Sequence, residues 1–123
     1  MKKKILIIDD EHLIRNFLKT ILTNAGYEVR EAINGEEGLH LFYTFSPDLV
    51  ITDIVMPEKD GIEVIMEIRK NDSSVKLIAI SGGGYVTADK YLNLAKALDI
   101  STCFNKPFHS HEIIEAVQEL IGS

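Results

Sequence analysis

The sequence predicts a doubly wound α/β domain, in which a parallel β-sheet carries helices on both of its faces. Short apolar runs alternate with longer stretches of helical periodicity, which favours parallel strands joined by right-handed helical crossovers. The runs are almost continuously hydrophobic, as is typical of strands covered on both sides. With 123 residues, of which 46% are hydrophobic, the chain suffices for one packed core, so we predict a single domain over residues 1–123.

The first half of the chain predicts two strands and two helices. Ile5–Ile8 is a continuous apolar run and should be a central strand. An amphipathic helix follows and ends at Asn24 and Gly26. Its apolar positions are Leu13, Ile14, Phe17, Leu18, Ile21 and Leu22. Tyr27–Glu31 alternates apolar and polar residues, which is typical of a strand nearer an edge, and Leu39–Phe45 carries a second helical stripe.

The second half predicts three strands and three helices in the same alternation. Leu49–Ile51 and Leu77–Ile80 should be central strands, whereas the brief run Thr102–Phe104 should lie nearer an edge. The helical stripes are Ile62–Ile68, Tyr91–Leu98 and a cleaner one from Ile113 to Ile121. Ser110 is the expected N-cap of the last helix, because its hydroxyl can accept hydrogen bonds from main-chain amides of the first turn.

Composition and charge argue against several functional classes. The net charge of −6 and the pI near 5.1 would repel a phosphate backbone, so we expect no direct nucleic-acid binding. The apolar run Ile5–Ile8 is too short for a secretory signal or a membrane span, so we expect no membrane association. Cys103 is the only cysteine of the chain, which favours a reducing compartment and therefore the cytoplasm.

The carboxyl ends of the predicted strands carry the residues best suited to chemistry. Ligands of doubly wound sheets bind in the crevice outside these strand ends. The residues found there are Asp9 and Asp10 after the first strand, Asp53 after the third, Ser81 after the fourth and Lys106 after the fifth. We therefore expect three carboxylates, a hydroxyl and an ammonium to converge at one edge of the sheet.

Three aspartates in one cleft need positive charge, because two unit charges about 4 Å apart repel by roughly 4 kcal/mol at an effective dielectric constant near 20. Lys106 supplies part of that charge, and a divalent cation would supply the rest. Oxygen ligands with room for water and phosphate suit Mg²⁺, although Ca²⁺ and Mn²⁺ also fit this donor set. A metal, a lysine and a hydroxyl would together equip Asp53 to accept a phosphoryl group.

Several of these residues also have an ordinary structural interpretation. Asp9 and Asp10 could cap the first helix, and Lys106, which precedes a proline, could be a solvated charge. Asp53 is harder to explain in this way. It follows an apolar strand and precedes a loop with Asp60-Gly61, whose glycine can supply a positive φ angle.

Together these residues belong to an ordered series of motifs. The series is Ile7-Ile8-Asp9-Asp10-Glu11, Asp48-Leu49-Val50-Ile51-Thr52-Asp53, Met56-Pro57, Asp60-Gly61, Ser81-Gly82 and Lys106-Pro107-Phe108. It resembles the CheY-like receiver domain of two-component response regulators, and the resemblance spans nearly the whole chain. The resemblance implies a five-stranded parallel sheet of flavodoxin-like order 2-1-3-4-5 with five helices.

The resemblance also implies a phosphoryl acceptor and a metal site. Asp53 would accept a phosphoryl group from a histidine kinase or a phosphotransfer protein. Asp10, Asp53 and the main-chain carbonyl of Val55 would ligate Mg²⁺, and Asp9 would act through a water molecule.

Two further residues would contact the phosphoryl group in such a domain. Lys106 would pair with one phosphate oxygen, and the Ser81 hydroxyl would turn inward to hydrogen-bond another. The turn of Ser81 would carry the following loop with it. The signal would then reach an unidentified downstream protein through this loop and the face formed by helix four and strand five. The resemblance thus describes a signalling phosphoacceptor that assists its own phosphorylation and dephosphorylation, not an enzyme.

One position departs from the family pattern. Receiver domains usually carry Tyr or Phe three residues before the lysine of strand five, and here Cys103 stands in that place. Phe104 comes one residue later, but adjacent strand residues point to opposite faces, so Phe104 should not replace the missing ring. The signal should therefore pass through the Ser81 loop rather than through an aromatic rotamer.

Three alternatives share part of this equipment. A haloacid-dehalogenase-type phosphatase also uses an aspartate nucleophile, but it needs a second Asp two residues later, where Val55 stands. A flavodoxin-like FMN carrier shares the fold, but Asp9, Asp10 and Glu11 would repel the phosphate of the cofactor. A receiver used only for docking, without phosphorylation, is less expected because the acidic and lysine positions are intact.

Overall fold

A computed structural model describes residues 2–54, 61–82, 93 and 96–122 of the chain. Its strands are β1 (Lys4–Ile8), β2 (Glu28–Ala32), β3 (Leu49–Asp53), β4 (Lys76–Gly82) and β5 (Thr102–Lys106). They form one parallel sheet in the order β2-β1-β3-β4-β5. The predicted strand order is confirmed, and the two strands expected nearer the edges are the outer ones.

Helices lie on both faces of this sheet. They are α1 (His12–Asn24), α2 (Gly35–Phe45), α3 (Gly61–Asn71) and α5 (Ser110–Ile121). Of the predicted helix Tyr91–Leu98, which we label α4, residues 93 and 96–98 are helical and the others lie outside the described residues. The predicted alternation of strands and helices is confirmed. None of the described helices has the length and apolarity needed to cross a bilayer.

The start of α5 differs from the prediction by one residue. The helix begins at Ser110, and His109 is its N-cap, so the expectation that Ser110 caps the helix is wrong. The main-chain amide of His109 donates a hydrogen bond to the Glu112 carboxylate at 3.1 Å. This bond uses an acidic side chain in the first turn of the helix to satisfy the amide that precedes it.

Two apolar layers pack against the sheet, one on each face. Leu6 and Ile8 of β1 lie in the layer with residues of α2 and α3, whereas Ile5 and Ile7 lie in the layer with residues of α1 and α5. The alternation follows because successive strand residues point to opposite faces. All four side chains are fully buried, and each contributes about 1.5–3 kcal/mol of hydrophobic stabilisation. Burial on both faces explains why the central strands are continuously apolar.

The buried face of α1 differs from the predicted apolar stripe. Leu13, which we expected on that stripe, is 79% exposed, so this assignment is wrong. The buried residues of the helix are Arg15, Leu18 and Leu22, which are three and four positions apart and therefore share one face. Leu13 lies in the first turn, outside this face. The helix thus places an arginine in line with two core leucines.

The start of α3 lies directly against the end of β3. A Cβ atom on Gly61 would overlap the main-chain carbonyl oxygen of Asp53 and would come within 2.6 Å of the Ile54 Cα atom. The φ angle of Gly61 lies outside the positive region, so the position does not use the ability of glycine to adopt a positive φ angle. The position needs glycine because only a residue without a side chain permits this close approach.

The strands carry the predicted functional residues to the carboxyl edge of the sheet. Asp53 is the last residue of β3 and lies beside Ile80 of β4. Lys106 is the last residue of β5 and lies beside Gly82 of β4. Because sheet pairing continues up to these residues, their main-chain positions are fixed by the fold.

Candidate functional site

Three aspartate side chains meet at the carboxyl edge of the sheet. Asp9 and Asp10 directly follow β1, and Asp53 ends the neighbouring strand β3. Each side chain offers one carboxylate oxygen, and these oxygens all lie within 4.8 Å of one another. Asp9 and Asp53 are buried, whereas Asp10 is exposed, so the group faces solvent on the Asp10 side. The predicted convergence of the three carboxylates is confirmed.

Asp9 is held on one side of its carboxylate only. Its Oδ1 atom accepts a hydrogen bond from the Glu11 amide at 2.8 Å, and Glu11 itself is the N-cap of α1. Helix capping therefore does not explain the Asp9-Asp10 pair. Asp9 Oδ2 is buried and accepts no hydrogen bond within the described part of the chain, although it lies 3.2 Å from the Lys106 ammonium, within ion-pair distance. A buried carboxylate oxygen that accepts no hydrogen bond destabilises the folded state, and a cation bound beside it would offset this destabilisation.

Lys106 brings an ammonium into the group of carboxylates. Its Nζ atom donates hydrogen bonds to Asp53 Oδ2 and to Glu11 Oε1, both at 2.9 Å. The side chain is only 12% exposed, so the interpretation of Lys106 as a solvated charge is wrong. The contact with Glu11 was not predicted. The signal in the sequence is that Glu11 is the third consecutive acidic residue after β1.

The surroundings raise the pKa values of both Asp9 and Lys106, which favours the neutral form of the carboxyl group and the charged form of the lysine. Burial raises the pKa of Asp9 to about 6, and the charge of Asp53 adds to this rise, while the Glu11 amide and Lys106 oppose it. Burial alone would lower the pKa of Lys106, but its hydrogen bonds to Glu11 and Asp53 and the nearby negative charges raise that pKa above its ordinary value. Lys106 is therefore held as an ammonium, whereas the Asp9 carboxyl group is harder to ionise than an exposed aspartate.

Aromatic side chains fix the segment that carries Lys106. The Phe108 ring lies 6.0 Å from the Phe17 ring of α1 and 6.3 Å from the Phe104 ring of β5, measured between centroids. A Cβ atom on Gly82 would lie 3.7 Å from Lys106 Cδ, so the lysine stem passes close to the end of β4. The Lys106-Pro107-Phe108 motif thus combines the charge with a ring that anchors it to α1.

Ser81 lies at the same edge but does not join the group. It is buried next to the last residue of β4, and its neighbour in register is Asn105 of β5. Its hydroxyl makes no hydrogen bond to any residue that the structure describes. Val55, the remaining residue expected at the metal site, lies outside the described residues.

Cys103 and Phe104 lie on opposite sides of the sheet. Cys103 is partly buried and packs against the layer of α2 and α3, whereas Phe104 packs against the layer of α1 and α5. The expectation that Phe104 cannot replace an aromatic residue at position 103 is confirmed. Burial also raises the pKa of the Cys103 thiol, which therefore stays protonated at neutral pH.

The donor set fits a hard divalent cation. Within the described chain, the carboxylates of Asp9, Asp10, Asp53 and Glu11 face a single lysine, so the group carries excess negative charge. Carboxylate oxygens are the ligands that Mg²⁺ prefers, and the exposed Asp10 side leaves room for water molecules. The buried Asp9 Oδ2 atom offers acceptor capacity that no described hydrogen bond uses.

The fold and this edge together define a class of proteins, the phosphoryl-accepting signalling domains of doubly wound topology. The family model of the response regulator receiver domain matches residues 5–118, and the chain therefore belongs to this family. Receiver domains are the phosphoacceptors of two-component and phosphorelay signalling, and they bind Mg²⁺ at an acidic pocket. They act with histidine kinases or phosphotransfer proteins and with downstream targets.

Individual relatives agree with this assignment. The chain is 40% identical to the chemotaxis protein CheY of Thermotoga maritima over 121 residues, with 98% of each protein covered. It is 42% identical to the probable transcriptional regulator ycf27 of Guillardia theta over 98% of the chain, but it spans only 46% of that protein. The solved structure of the Vibrio cholerae chemotaxis protein CheY4 matches with a TM-score of 0.89 at 25% identity, covering 98% of this chain and 100% of that one.

We expect the burial of Asp9 to make stability depend on pH. Between the folded pKa of about 6 and the ordinary value of 3.8, the folded state binds a proton that the unfolded state does not bind. In EDTA, the free energy of unfolding of the wild type relative to Asp9→Asn should therefore rise as the pH falls from about 7 to about 4. Urea denaturation at several pH values measures this difference. A difference that stays constant, or that resembles the one given by the control Asp99→Asn, would contradict the assignment.

Proposed function

We propose that Asp53 accepts a phosphoryl group from a histidine kinase or a phosphotransfer protein in a reaction that requires Mg²⁺. The observation that carries the proposal is the position of Asp53, which is 3% exposed at the end of β3 and lies 2.9 Å from the Lys106 ammonium. Attack of a carboxylate oxygen on the phosphorus of a phosphohistidine forms a P–O bond and breaks the P–N bond. The imidazole leaves with the electron pair and takes up a proton.

Asp10, Asp53 and the main-chain carbonyl of Val55 would hold Mg²⁺, with Asp9 acting through a water molecule. The grouping of the three carboxylate oxygens within 4.8 Å supports this set. The Asp9 Oδ2 atom, which no described residue hydrogen-bonds, supports it further. When bound, Mg²⁺ would neutralise negative charge on the phosphoryl oxygens.

Lys106 would donate a hydrogen bond to one phosphoryl oxygen, because its ammonium already lies beside the Asp53 carboxylate. The Ser81 hydroxyl would donate to a second oxygen. The Ser81 hydroxyl makes no hydrogen bond to the described residues, so it would have to turn toward Asp53 to reach the phosphoryl group. The chain after β4 would follow this turn. This turn would relay phosphorylation to the loop after Ser81 and to the face formed by α4 and β5, where an unidentified downstream protein would bind.

We also propose the extent of the domain, its compartment and the partners that it does not contact. Residues 1–123 would act as one receiver domain in the cytoplasm, without direct contact to nucleic acid or membrane, as the net charge of −6 and the single cysteine suggest. Membership of the receiver family decides against the dehalogenase-type phosphatase and the FMN carrier, because receiver domains are signalling phosphoacceptors. Labelling with a small phosphoryl donor distinguishes the proposed phosphoacceptor from a receiver that only docks and is never phosphorylated.

We expect a small acyl phosphate donor with Mg²⁺ to add one phosphoryl group to the protein, because the buried Asp53 carboxylate lies among charges that can hold the donor. Intact-protein mass spectrometry measures the addition. Asp53→Asn should stay unlabelled, whereas Asp99→Asn, at an exposed position, should label like the wild type. Labelling of Asp53→Asn at the wild-type level would show that another residue is the acceptor, and an unlabelled wild type would favour the docking module.

We expect millimolar Mg²⁺ to raise the melting temperature at constant ionic strength. A ligand that binds only the folded state stabilises it by RT ln(1 + [L]/Kd), about 2.7 kcal/mol at 100 times Kd. Asp10→Asn should lose most of the effect, since it removes a proposed ligand on the solvent side of the group. Thermal denaturation with Mg²⁺, Ca²⁺, Mn²⁺ or ionic-strength-matched NaCl measures it. A melting temperature that responds to Mg²⁺ no more than to NaCl speaks against a metal site.

We expect the phosphorylation signal to bypass position 103, because the Cys103 side chain packs into the α2 and α3 layer, away from Phe104. Amide hydrogen exchange with excess acyl phosphate and Mg²⁺ should change around Ser81 and in α4 to the same extent in wild type and in Cys103→Tyr. Asp53→Asn, which cannot be phosphorylated, is the control. If Cys103→Tyr strengthens the response only in the phosphorylated state, position 103 belongs to the switch and the proposed relay is wrong.

A further inference from the structure

Arg15 of α1 is a buried cation that lies outside the group formed by the carboxylates and Lys106. Only 8% of the residue is exposed, although arginine is rarely buried without a specific partner. Its Nη1 atom donates a hydrogen bond to the main-chain carbonyl of Asp9 at 2.9 Å, and its Nε atom donates to Glu31 Oε1 at 3.1 Å. The guanidinium therefore links the main chain of the acidic loop, Asp9–Glu11, to the edge strand β2.

The main chain of Asp9 is held from both sides. Its amide donates to the carbonyl of Ala32 at 3.1 Å, and its carbonyl accepts from Arg15. The carboxylate is oriented in turn by the Glu11 amide, 2.8 Å from Oδ1. Without such bonds, mutual repulsion would drive the carboxylates of Asp9, Asp10 and Asp53 apart whenever no cation is bound. The bonds to Arg15 and Ala32 keep the acidic loop in place without using any carboxylate oxygen.

Glu31 fixes the orientation of the guanidinium. It lies in β2, next to Ala32, and pairs with Arg15 through Oε1 and with Lys19 through Oε2 at 3.3 Å. Burial alone would raise the pKa of Glu31, but the hydrogen bonds from Arg15 and Lys19 lower it, so the carboxylate stays ionised. Two cations of α1 thus share one carboxylate, but only Arg15 also reaches Asp9.

We propose that Arg15 is a positioning residue for the cation site, which it preorganises by holding the main-chain carbonyl of Asp9 while Glu31 holds the guanidinium. The inference rests on the proposed Mg²⁺ site and adds a residue to it that does not touch the metal. Outer-shell groups of this kind orient metal ligands, and their loss typically weakens metal affinity by about 10-fold to 100-fold.

The charge of Arg15 and its positioning role predict opposite changes in Mg²⁺ affinity when the residue is replaced. A cation close to the site repels Mg²⁺, so removal of the Arg15 charge should strengthen Mg²⁺ binding if charge is all that matters. Loss of the bond to Asp9 should instead weaken binding, because the loop then has to be ordered when the metal binds. Lys19 provides a matched control, since it pairs with the same carboxylate and lies on the same helix, but it is half exposed and forms neither a hydrogen bond nor an ion pair with Asp9.

The experiment is a titration of the whole chain with Mg²⁺ by isothermal calorimetry at constant ionic strength. We expect the Kd of Arg15→Gln to rise by about 10-fold or more, whereas that of Lys19→Gln should equal the wild-type value or fall slightly. Arg15→Lys keeps the charge but loses the planar fork that reaches both partners, so its Kd should rise as well, by less. This variant decides the question if Arg15→Gln does not fold.

Amide hydrogen exchange in EDTA gives a readout that does not depend on Mg²⁺. The amides of Asp9 and Glu11 should exchange faster in Arg15→Gln and in Arg15→Lys, but not in Lys19→Gln. The inference is overturned if folded Arg15 variants bind Mg²⁺ as tightly as the wild type or more tightly, or if Lys19→Gln weakens binding equally. If the wild type binds no Mg²⁺, the proposed cation site itself is wrong. This outcome differs from one in which the wild type binds Mg²⁺ and only the proposed role of Arg15 fails.

Discussion

The rest of the site depends on one constraint, which is that several carboxylates are brought together in a partly buried place where only one described lysine faces them. Taking Asp9 and Asp53 out of water costs free energy, and their mutual repulsion adds to that cost. Lys106 offsets part of it through two hydrogen bonds and an ion pair. The buried Asp9 Oδ2 atom and the raised pKa of Asp9 show that the offset is incomplete. The deficit of positive charge is what a divalent cation would remove.

The fold bears this cost because its core is independent of the site. The apolar layers of α2 and α3 and of α1 and α5 bury the central strands on both faces, and none of the charged residues of the site belongs to either layer. The same parallel pairing aligns the ends of β1, β3 and β5, so residues distant in sequence meet there. Contacts of Phe108 with α1 and of Gly61 with β3 then fix the segments that carry Lys106 and Asp53. Stability therefore comes from the layers, and reactivity from the strand ends.

The fold could be predicted because apolar runs and helical stripes depend on burial alone, which the sequence records directly. The convergence of Asp9, Asp10, Asp53 and Lys106 followed from the parallel arrangement of the strands, since every parallel strand ends at the same edge, whereas the strand order itself came from the family resemblance. Contacts that depend on side-chain direction could not be predicted. Leu13 fits a helical stripe yet is exposed, because the rotation of α1 is set by how it packs on β2.

Similar limits apply to the smaller features of the site. Arg15 shares a face with Leu18 and Leu22, but a charged residue on such a face gives no indication of its partner. The requirement for Gly61 comes from its contact with the Asp53 carbonyl, which is a tertiary distance and not a local turn preference. The hydrogen bond between Glu11 and Lys106 joins residues that are 95 positions apart. Such contacts are decided by the assembled structure.

The most direct test of the central claim is a double-mutant cycle between Lys106 and Asp53, measured by urea denaturation in EDTA at neutral pH. Lys106→Met should lower the free energy of unfolding, because it leaves the carboxylates without their ammonium. In the Lys106→Met background, Asp53→Asn should restore stability, with a coupling energy of about 0.5–3 kcal/mol. The account would be contradicted if the two substitutions were additive, since the lysine would then not be balancing the charge of Asp53.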